Sequence, residues 1–184
     1  MRPAKIFYPI GIAYGWVVKF RNQLYDNGWF KSEKSPLFSI CVGNITAGGT
    51  GKTPMIEYLI KLFLKQEKNI AVLSRGYKRS TTGFLKVTPD CSSNETGDEP
   101  LQIASKFPMV NVFVDEKRIE GAKKIKNNYP HTDVLLLDDA FQHRSIKADI
   151  NILLTRFGQL YIDDYYLPAG YLRDHKSRAR QADI

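Results

Sequence analysis

Lys52 and Thr53 follow a cluster of glycines, Gly48, Gly49 and Gly51, and that cluster follows the apolar run 39–42. Glycine takes backbone angles that side chains forbid, so successive N–H groups in such a turn can point inward at an anion. A lysine beside them can reach the β- and γ-phosphates of a nucleotide, and the adjacent hydroxyl can ligate magnesium. The order of apolar strand, glycine-rich turn, Gly-Lys-Thr and a helix-like segment from 54 to about 65 is that of the phosphate-binding loop. The helix start contributes unsatisfied N–H groups and the positive end of its dipole. Thr46, Ala47 and Thr50 complete the candidate nucleotide-binding set. Thr46 departs from the strict pattern, which has Gly there. The strand and helix on either side favour nucleotide binding over a plain turn.

Carboxylates supply the second signal. Residues 133–139 form an apolar run that ends in Asp138 and Asp139. In phosphate-loop proteins the aspartate that closes such a strand serves the metal. Asp98 and Glu99 lie in Thr96-Gly97-Asp98-Glu99-Pro100, before a helix-like segment to 106. Acidic residues at a helix start commonly act as caps or face the dipole. The sharper alternative is a general base and a metal ligand placed near bound phosphates. Ser74-Arg75-Gly76-Tyr77-Lys78-Arg79 is a basic loop after the buried strand 69–73, and open α/β sheets bind ligands at the carboxyl ends of their strands. A lone histidine is more often structural than catalytic, and His143 receives no chemistry by itself.

The elements that must position these residues alternate. Apolar runs at 39–42, 69–73, 111–115, 133–139 and 149–154 read as strands, with helices at 54–65, up to 106, and 117–126. This alternation predicts a doubly wound α/β domain with a mostly parallel sheet. Residues 1–35 form an N-terminal helical segment and residues 36–184 the core domain. Residues 80–91 read as a loop, 161–174 as an aromatic loop, and Lys176, Arg178 and Arg180 as a basic helical patch. Residues 182–184 resemble the opening of a further strand, so the chain is expected to be part of a longer protein.

The chain has 184 residues, 43% hydrophobic and 25% charged, ordinary proportions for one globular domain. Its net charge of +8 favours phosphate-rich partners: nucleotide, nucleic acid or an anionic membrane. Cys41 and Cys91 form neither a disulfide framework nor a metal set, and a reducing cytoplasm is the default. Near the N-terminus, the uncharged run 6–18 is too short to span a bilayer and lacks a small-residue cleavage site. Its spacing predicts a helix with Ile6, Ile10, Ala13, Val17, Phe20 and Leu24 on one stripe. Tyr8, Tyr14 and Trp16 interleave, and Arg2, Lys5, Lys19 and Arg21 bracket it. Aromatics with flanking cations suit a water–lipid interface, and the same stripe would equally suit packing on the domain.

Three classes of phosphate-loop protein compete. A small GTPase should carry an Asn-Lys-x-Asp motif and an Asp-x-x-Gly switch, and neither is visible. A partition-type switch ATPase, an interaction protein, carries a Lys before its paired glycines where this chain has Ala47. A small-molecule kinase needs the loop, a metal carboxylate and a separate base, roles that Thr53, Asp138 and Asp98 could fill.

At this point the residues resemble the tetraacyldisaccharide 4'-kinase family of Gram-negative bacteria. The loop Gly43-Asn44-Ile45-Thr46-Ala47-Gly48-Gly49-Thr50-Gly51-Lys52-Thr53-Pro54 is similar to that family's, including the hydroxyl residue at position 46. Ser74-Arg75-Gly76-Tyr77, Gly97-Asp98-Glu99-Pro100, Asp138-Asp139-Ala140-Phe141-Gln142-His143 and Leu167-Pro168-Ala169-Gly170 match its motifs in order. The resemblance implies ATP and Mg2+ as cofactors and transfer of the γ-phosphoryl group to the 4'-hydroxyl of a tetraacyldisaccharide 1-phosphate lipid. It implies Asp98 as general base, Lys52, Asp138 and Asp139 as further catalytic groups, and magnesium near Thr53, Glu99 and Asp138. It implies substrate contacts by Tyr77, Arg118, Gln142, Arg173 and Asp174. It also implies a peripheral position on the cytoplasmic face of the inner membrane, through the N-terminal helix, and no nucleic-acid partner. Departures are Ala140, where Gly is common, and Asp174, where Glu usually follows Leu-Arg.

Overall fold

The computed structural model describes residues 5–184. Arg2, one of the expected bracketing cations, lies outside the described residues. A 3-10 turn at Lys5–Phe7 leads into α1 (Tyr8–Asp26). There follow β1 (Glu33–Lys34), β2 (Ser39–Gly43), α2 (Lys52–Leu64), β3 (Ile70–Ser74), β4 (Leu85–Val87), α3 (Ser93–Thr96) and α4 (Asp98–Lys106). The remainder comprises β5 (Asn111–Val114), α5 (Arg118–Asn128), β6 (Val134–Asp138), β7 (Ile146–Lys147), β8 (Ile150–Leu153) and 3-10 segments at Tyr161–Asp163 and Lys176–Gln181.

Six strands form one sheet in the order β4-β5-β3-β6-β2-β8, parallel throughout except for β4 at one edge. The expected doubly wound sheet is therefore present. The residues of β2, β3 and β6 are buried along their whole length, because helices cover both faces of a parallel sheet. Alternate residues supply two cores. Ile40, Val42, Val72 and Leu136 meet Ile56, Leu59 and Ile60 of α2 and Ile103 of α4. Cys41, Leu73, Leu135 and Leu137 meet Ala122 and Ile125 of α5 on the opposite face.

Two features differ from the sequence expectation. Leu85–Val87, in the expected loop, is an antiparallel edge strand, too short to show periodicity and fixed by its pairing with β5. Glu33–Lys34 and Ile146–Lys147 form a two-residue parallel pair that only tertiary contact brings together. Of the two orientations open to α1, the predicted stripe takes the outward one. Gly11, Gly15, Val18 and Asn22 dock on the domain, with the Tyr166 ring against Gly15 and Ala169 against Gly11. Ile6, Ile10, Val17 and Phe20 are exposed. Small residues decide this orientation, since they allow close approach where the larger apolar side chains would hold the helix away. No helix among the described residues is long and apolar enough to cross a membrane. At the other end of the chain, Asp183 N–H donates to the Asn151 carbonyl and Leu153 N–H to the Ile184 carbonyl, both at 2.9 Å.

Candidate active site

The register of the sheet places the two chemical signals side by side. Val42 pairs with Asp138 across β2 and β6, and Leu73 pairs with Leu137 across β3 and β6. The phosphate loop, Asp138, Asp139 and the Ser74–Arg79 loop thus leave the same edge of the sheet at adjacent strands. Residues 46–51 form an exposed or half-buried turn in which Gly48 and Gly51 take φ of 103° and 86°. Gly51 is the N-cap of α2, so Lys52 and Thr53 are its first two residues. The turn has the form that the spacing predicts.

Asp138 is enclosed. Its Oδ2 accepts from the Ser74 hydroxyl at 3.1 Å, and its Oδ1 has no hydrogen-bond partner. Burial pushes its carboxyl up to about 6, and the charges of Glu99 and Asp139 push the same way. Asp139 adopts a left-handed φ of 47°. Burial disfavours its charge, but the Arg173 guanidinium, which donates to Oδ1 at 2.6 Å and Oδ2 at 3.2 Å, holds the carboxyl below the usual range. Lys52 Nζ adds its charge from 3.9 Å.

A magnesium site can be tested against these residues. Among the described residues no group of three or more His, Cys, Asp or Glu converges on a metal position. Magnesium in phosphoryl-transfer sites needs no such cage, being held by one or two carboxylates together with substrate phosphates and water. The orphaned Oδ1 of Asp138, facing the field of Glu99, fits a hard cation.

The acceptor-side residues divide. Tyr77 is exposed on the loop after β3, with Lys78 Nζ 5.4 Å from its ring centroid. Asp98 and Glu99 are exposed in the first turn of α4. Gln142 and Arg173 reach the phosphate loop at Asn44, Gln142 Nε2 donating to its carbonyl oxygen at 2.8 Å and Arg173 to its side chain. Arg118 and Asp174 are placed differently from the others. Arg118 is fully enclosed, its guanidinium spent on the carbonyls of Asp115 at 2.6 Å and Asp138 at 3.1 Å. Burial draws its pKa down to about 10 against the pull of Asp138 and Asp139. It braces the ends of β5 and β6, while its Nε has no hydrogen-bond partner. Asp174 is also fully enclosed and turned toward α1, away from the cleft.

Two contributors have no sequence signal at the loop itself. The segment after Pro168 lies along the loop, with Ala47 N–H donating to the Tyr171 carbonyl at 2.6 Å and Arg173 N–H to the Ile45 carbonyl at 2.9 Å. Arg156, which follows β8, donates from Nε to the Gly49 carbonyl at 2.8 Å. Asn44 and Ser74 lie inside motifs legible in the sequence, but their pairings with Arg173 and Asp138 cross between distant segments. His143 is half-buried, and burial, then Arg118 and Arg75, lowers its pKa to about 4, so it is neutral at pH 7.

A glycine-rich loop between an interior parallel strand and a helix, with an aspartate strand alongside, defines a P-loop protein of doubly wound architecture. The chain belongs to the tetraacyldisaccharide-1-P 4'-kinase (LpxK) family, whose model matches residues 3–184. That membership separates it from the partition-type ATPases. It is 46% identical to the tetraacyldisaccharide 4'-kinase of Bacteroides thetaiotaomicron, over 98% of this chain and 47% of the relative. It is 49% identical to that of Bacteroides fragilis, over 98% of this chain and 48% of the relative. The chain therefore spans about half the length of these curated relatives. A crystal structure of LpxK from Aquifex aeolicus in complex with ATP superposes with a TM-score of 0.87 at 39% identity, over 96% of this chain and 56% of that one.

Proposed function

We propose that this chain carries the ATP-binding and phosphoryl-transfer residues of a tetraacyldisaccharide 4'-kinase. The observation that carries the reading is the meeting of Lys52 with Asp139 at the carboxyl ends of neighbouring strands, beside a buried Asp138 with a free oxygen. In the reaction, the acceptor 4'-oxygen forms a bond to the γ-phosphorus as the bond from that phosphorus to the β,γ-bridging oxygen breaks, and ADP leaves. Asp98 takes the hydroxyl proton. The loop N–H groups and Lys52 hold the phosphates in line, and a positive charge fixed before the reaction stabilises the charge that spreads over the transferring oxygens. Thr53, Glu99 and Asp138 would hold magnesium, which when bound neutralises phosphate charge. Asp139, held by Arg173, keeps Lys52 over the loop.

The acceptor is a lipid, so the site must work at a bilayer surface. The outward stripe of α1 supports a peripheral position on the cytoplasmic face of the inner membrane: Trp16 is 70% exposed, Val17 68% and Phe20 62%. Apolar side chains so exposed on one helix, with cations beside them, suit the headgroup boundary.

The deciding experiment is ATP-dependent phosphorylation by the full-length protein, with tetraacyldisaccharide 1-phosphate, a soluble sugar and a nucleic acid offered in parallel. Label should pass to the acylated disaccharide alone. Label on the soluble sugar or nucleic acid instead, or ATP hydrolysis that ignores the lipid, would reject the reading.

A further inference from the structure

We propose that Asn44 is a positioning residue that joins the phosphate cradle to the acceptor side of the cleft, so that nucleotide and acceptor bind with positive synergy. The inference rests on the kinase reading above and gives a role to a residue which that reading leaves without one.

Asn44 is fully enclosed at the end of β2. Its amide nitrogen donates to Thr50 Oγ1 at 2.8 Å and to the Gly48 carbonyl at 3.4 Å. Its side-chain oxygen accepts from Arg173. A guanidinium offers donors only, so this contact fixes which way the amide points. Its backbone carbonyl accepts from Gln142 Nε2 at 2.8 Å. One residue therefore holds two points of the phosphate loop and two residues that face them. Arg173 carries the link onward by forking onto both oxygens of Asp139, and Asp139 Oδ1 lies 3.9 Å from Lys52 Nζ.

The consequence is mutual. An acceptor that engages Gln142 or Arg173 acts on bonds that shape the loop, and a nucleotide that fills the loop acts on the same bonds from the other end. Residues in one hydrogen-bond network are energetically coupled, and coupling between two ligands is reciprocal. Whichever ligand orders the network first lowers the ordering cost for the second. A residue that merely supported the fold would weaken both affinities without changing the effect of one ligand on the other.

The test measures affinity of the full-length protein for a non-hydrolysable ATP analogue with magnesium, with and without tetraacyldisaccharide 1-phosphate in detergent micelles. In the wild type the acceptor should tighten analogue binding by about 5-fold or more, the range of coupled sites. Asn44→Ala should bring that ratio close to one. Asn44→Asp keeps an acceptor for Arg173 but cannot donate to Thr50 or Gly48, and should lose the ratio as well. Arg173→Ala cuts the link from the other side and should do the same, so the test stands if Asn44→Ala does not fold. A wild-type ratio retained in Asn44→Asp and Arg173→Ala overturns the inference, as does a wild-type ratio of one with the analogue bound. No analogue binding by the wild type overturns the kinase reading and the inference together.

Discussion

Asn22 Nδ2 donates to Asp174 Oδ1 at 2.9 Å, and this buried bond joins α1 to the segment that lies along the phosphate loop. The same carboxylate accepts the His175 backbone N–H at 2.7 Å and faces Arg178 at 3.7 Å and Arg21 at 3.9 Å. One residue earlier, Arg173 points the opposite way, into the cleft, and grips Asp139. Adjacent residues on an extended segment face opposite sides. A cleft-facing residue and a structural tie therefore sit side by side in one motif.

That geometry makes Asp174 a stability residue. Asp174→Ala strands Arg178, whose Nε and Nη1 already lack hydrogen-bond partners, in a buried position. Breaking a buried ion pair by removing one member costs about 3–5 kcal/mol. Urea unfolding should show a loss of that order, with analogue affinity at the remaining folded protein little changed. A loss of nucleotide affinity at unchanged stability would return Asp174 to the ligand site.

The sheet was legible because its strands are buried on both faces and read as continuous apolar runs, bounded by helices of ordinary length. The cradle was legible because glycines, lysine and hydroxyl must be contiguous to wrap an anion. What escaped was whatever depends on distant pairing. The family resemblance implies ligand contacts for Arg118 and Asp174, and only the fold shows their polar atoms turned to backbone and to α1. The periodicity of the α1 stripe left packing and exposure open, because it is the same in both cases. Gly11 and Gly15 carried the information, as the small face that a neighbour can approach.

Glu116 gives a pH dependence with a definite sign. Its carboxylate accepts from Arg79 Nε at 3.1 Å and from Gly83 N–H at 2.9 Å, closing the basic loop after β3. Burial opposes its ionisation, but the Arg79 and backbone hydrogen bonds prevail and hold its carboxyl below the ordinary value of 4.5. The stabilisation is present above the unfolded value and is lost as pH falls through the lower, folded one. Glu116→Gln should cost about 1 kcal/mol at pH 7, a modest figure because the carboxylate is partly exposed and screened. Unfolding curves of the two proteins should converge as the pH drops below 4.5 and stay apart above it. A gap independent of pH would assign the cost to packing.

Lys52→Ala removes a side-chain ammonium 3.9 Å from Asp139 at the loop. Removing a preorganised charge of this kind lowers kcat by about 100- to 1,000-fold or more. Single-turnover transfer at saturating ATP and magnesium measures it. Turnover at the wild-type rate would remove the loop lysine from the mechanism.

The outward face of α1 should hold the protein on membranes. Trp16→Glu with Phe20→Glu places two charges on side chains that are largely exposed, so unfolding should be unaffected. In sedimentation with anionic phospholipid vesicles, the wild type should pellet and the variant should stay in the supernatant. Equal pelleting would favour a protein partner for this face.

Asp98 should act as the base, and its position separates that role from helix capping. The N-cap of α4 is Gly97, at φ 90°, and Asp98 is the first helical residue. A Cβ on Gly97 would stand 3.2 Å from Gly76 Cα, so two backbones meet there, and that contact brings the start of α4 against the loop after β3. From the next residue, Glu99, a charge already acts on Asp138. The acceptor hydroxyl must lose its proton as it attacks phosphorus, and a positioned base contributes about 100- to 10,000-fold. Asp98→Asn keeps the size and polarity of an exposed first-turn residue and removes the proton acceptor. Its kcat should fall within that range, with unfolding and ATP-analogue affinity unchanged. Asp98→Ala should fall as far, since neither replacement can accept the proton. Near-normal kcat in Asp98→Asn would leave Asp98 a dipole partner of α4 and pass the base role to another residue.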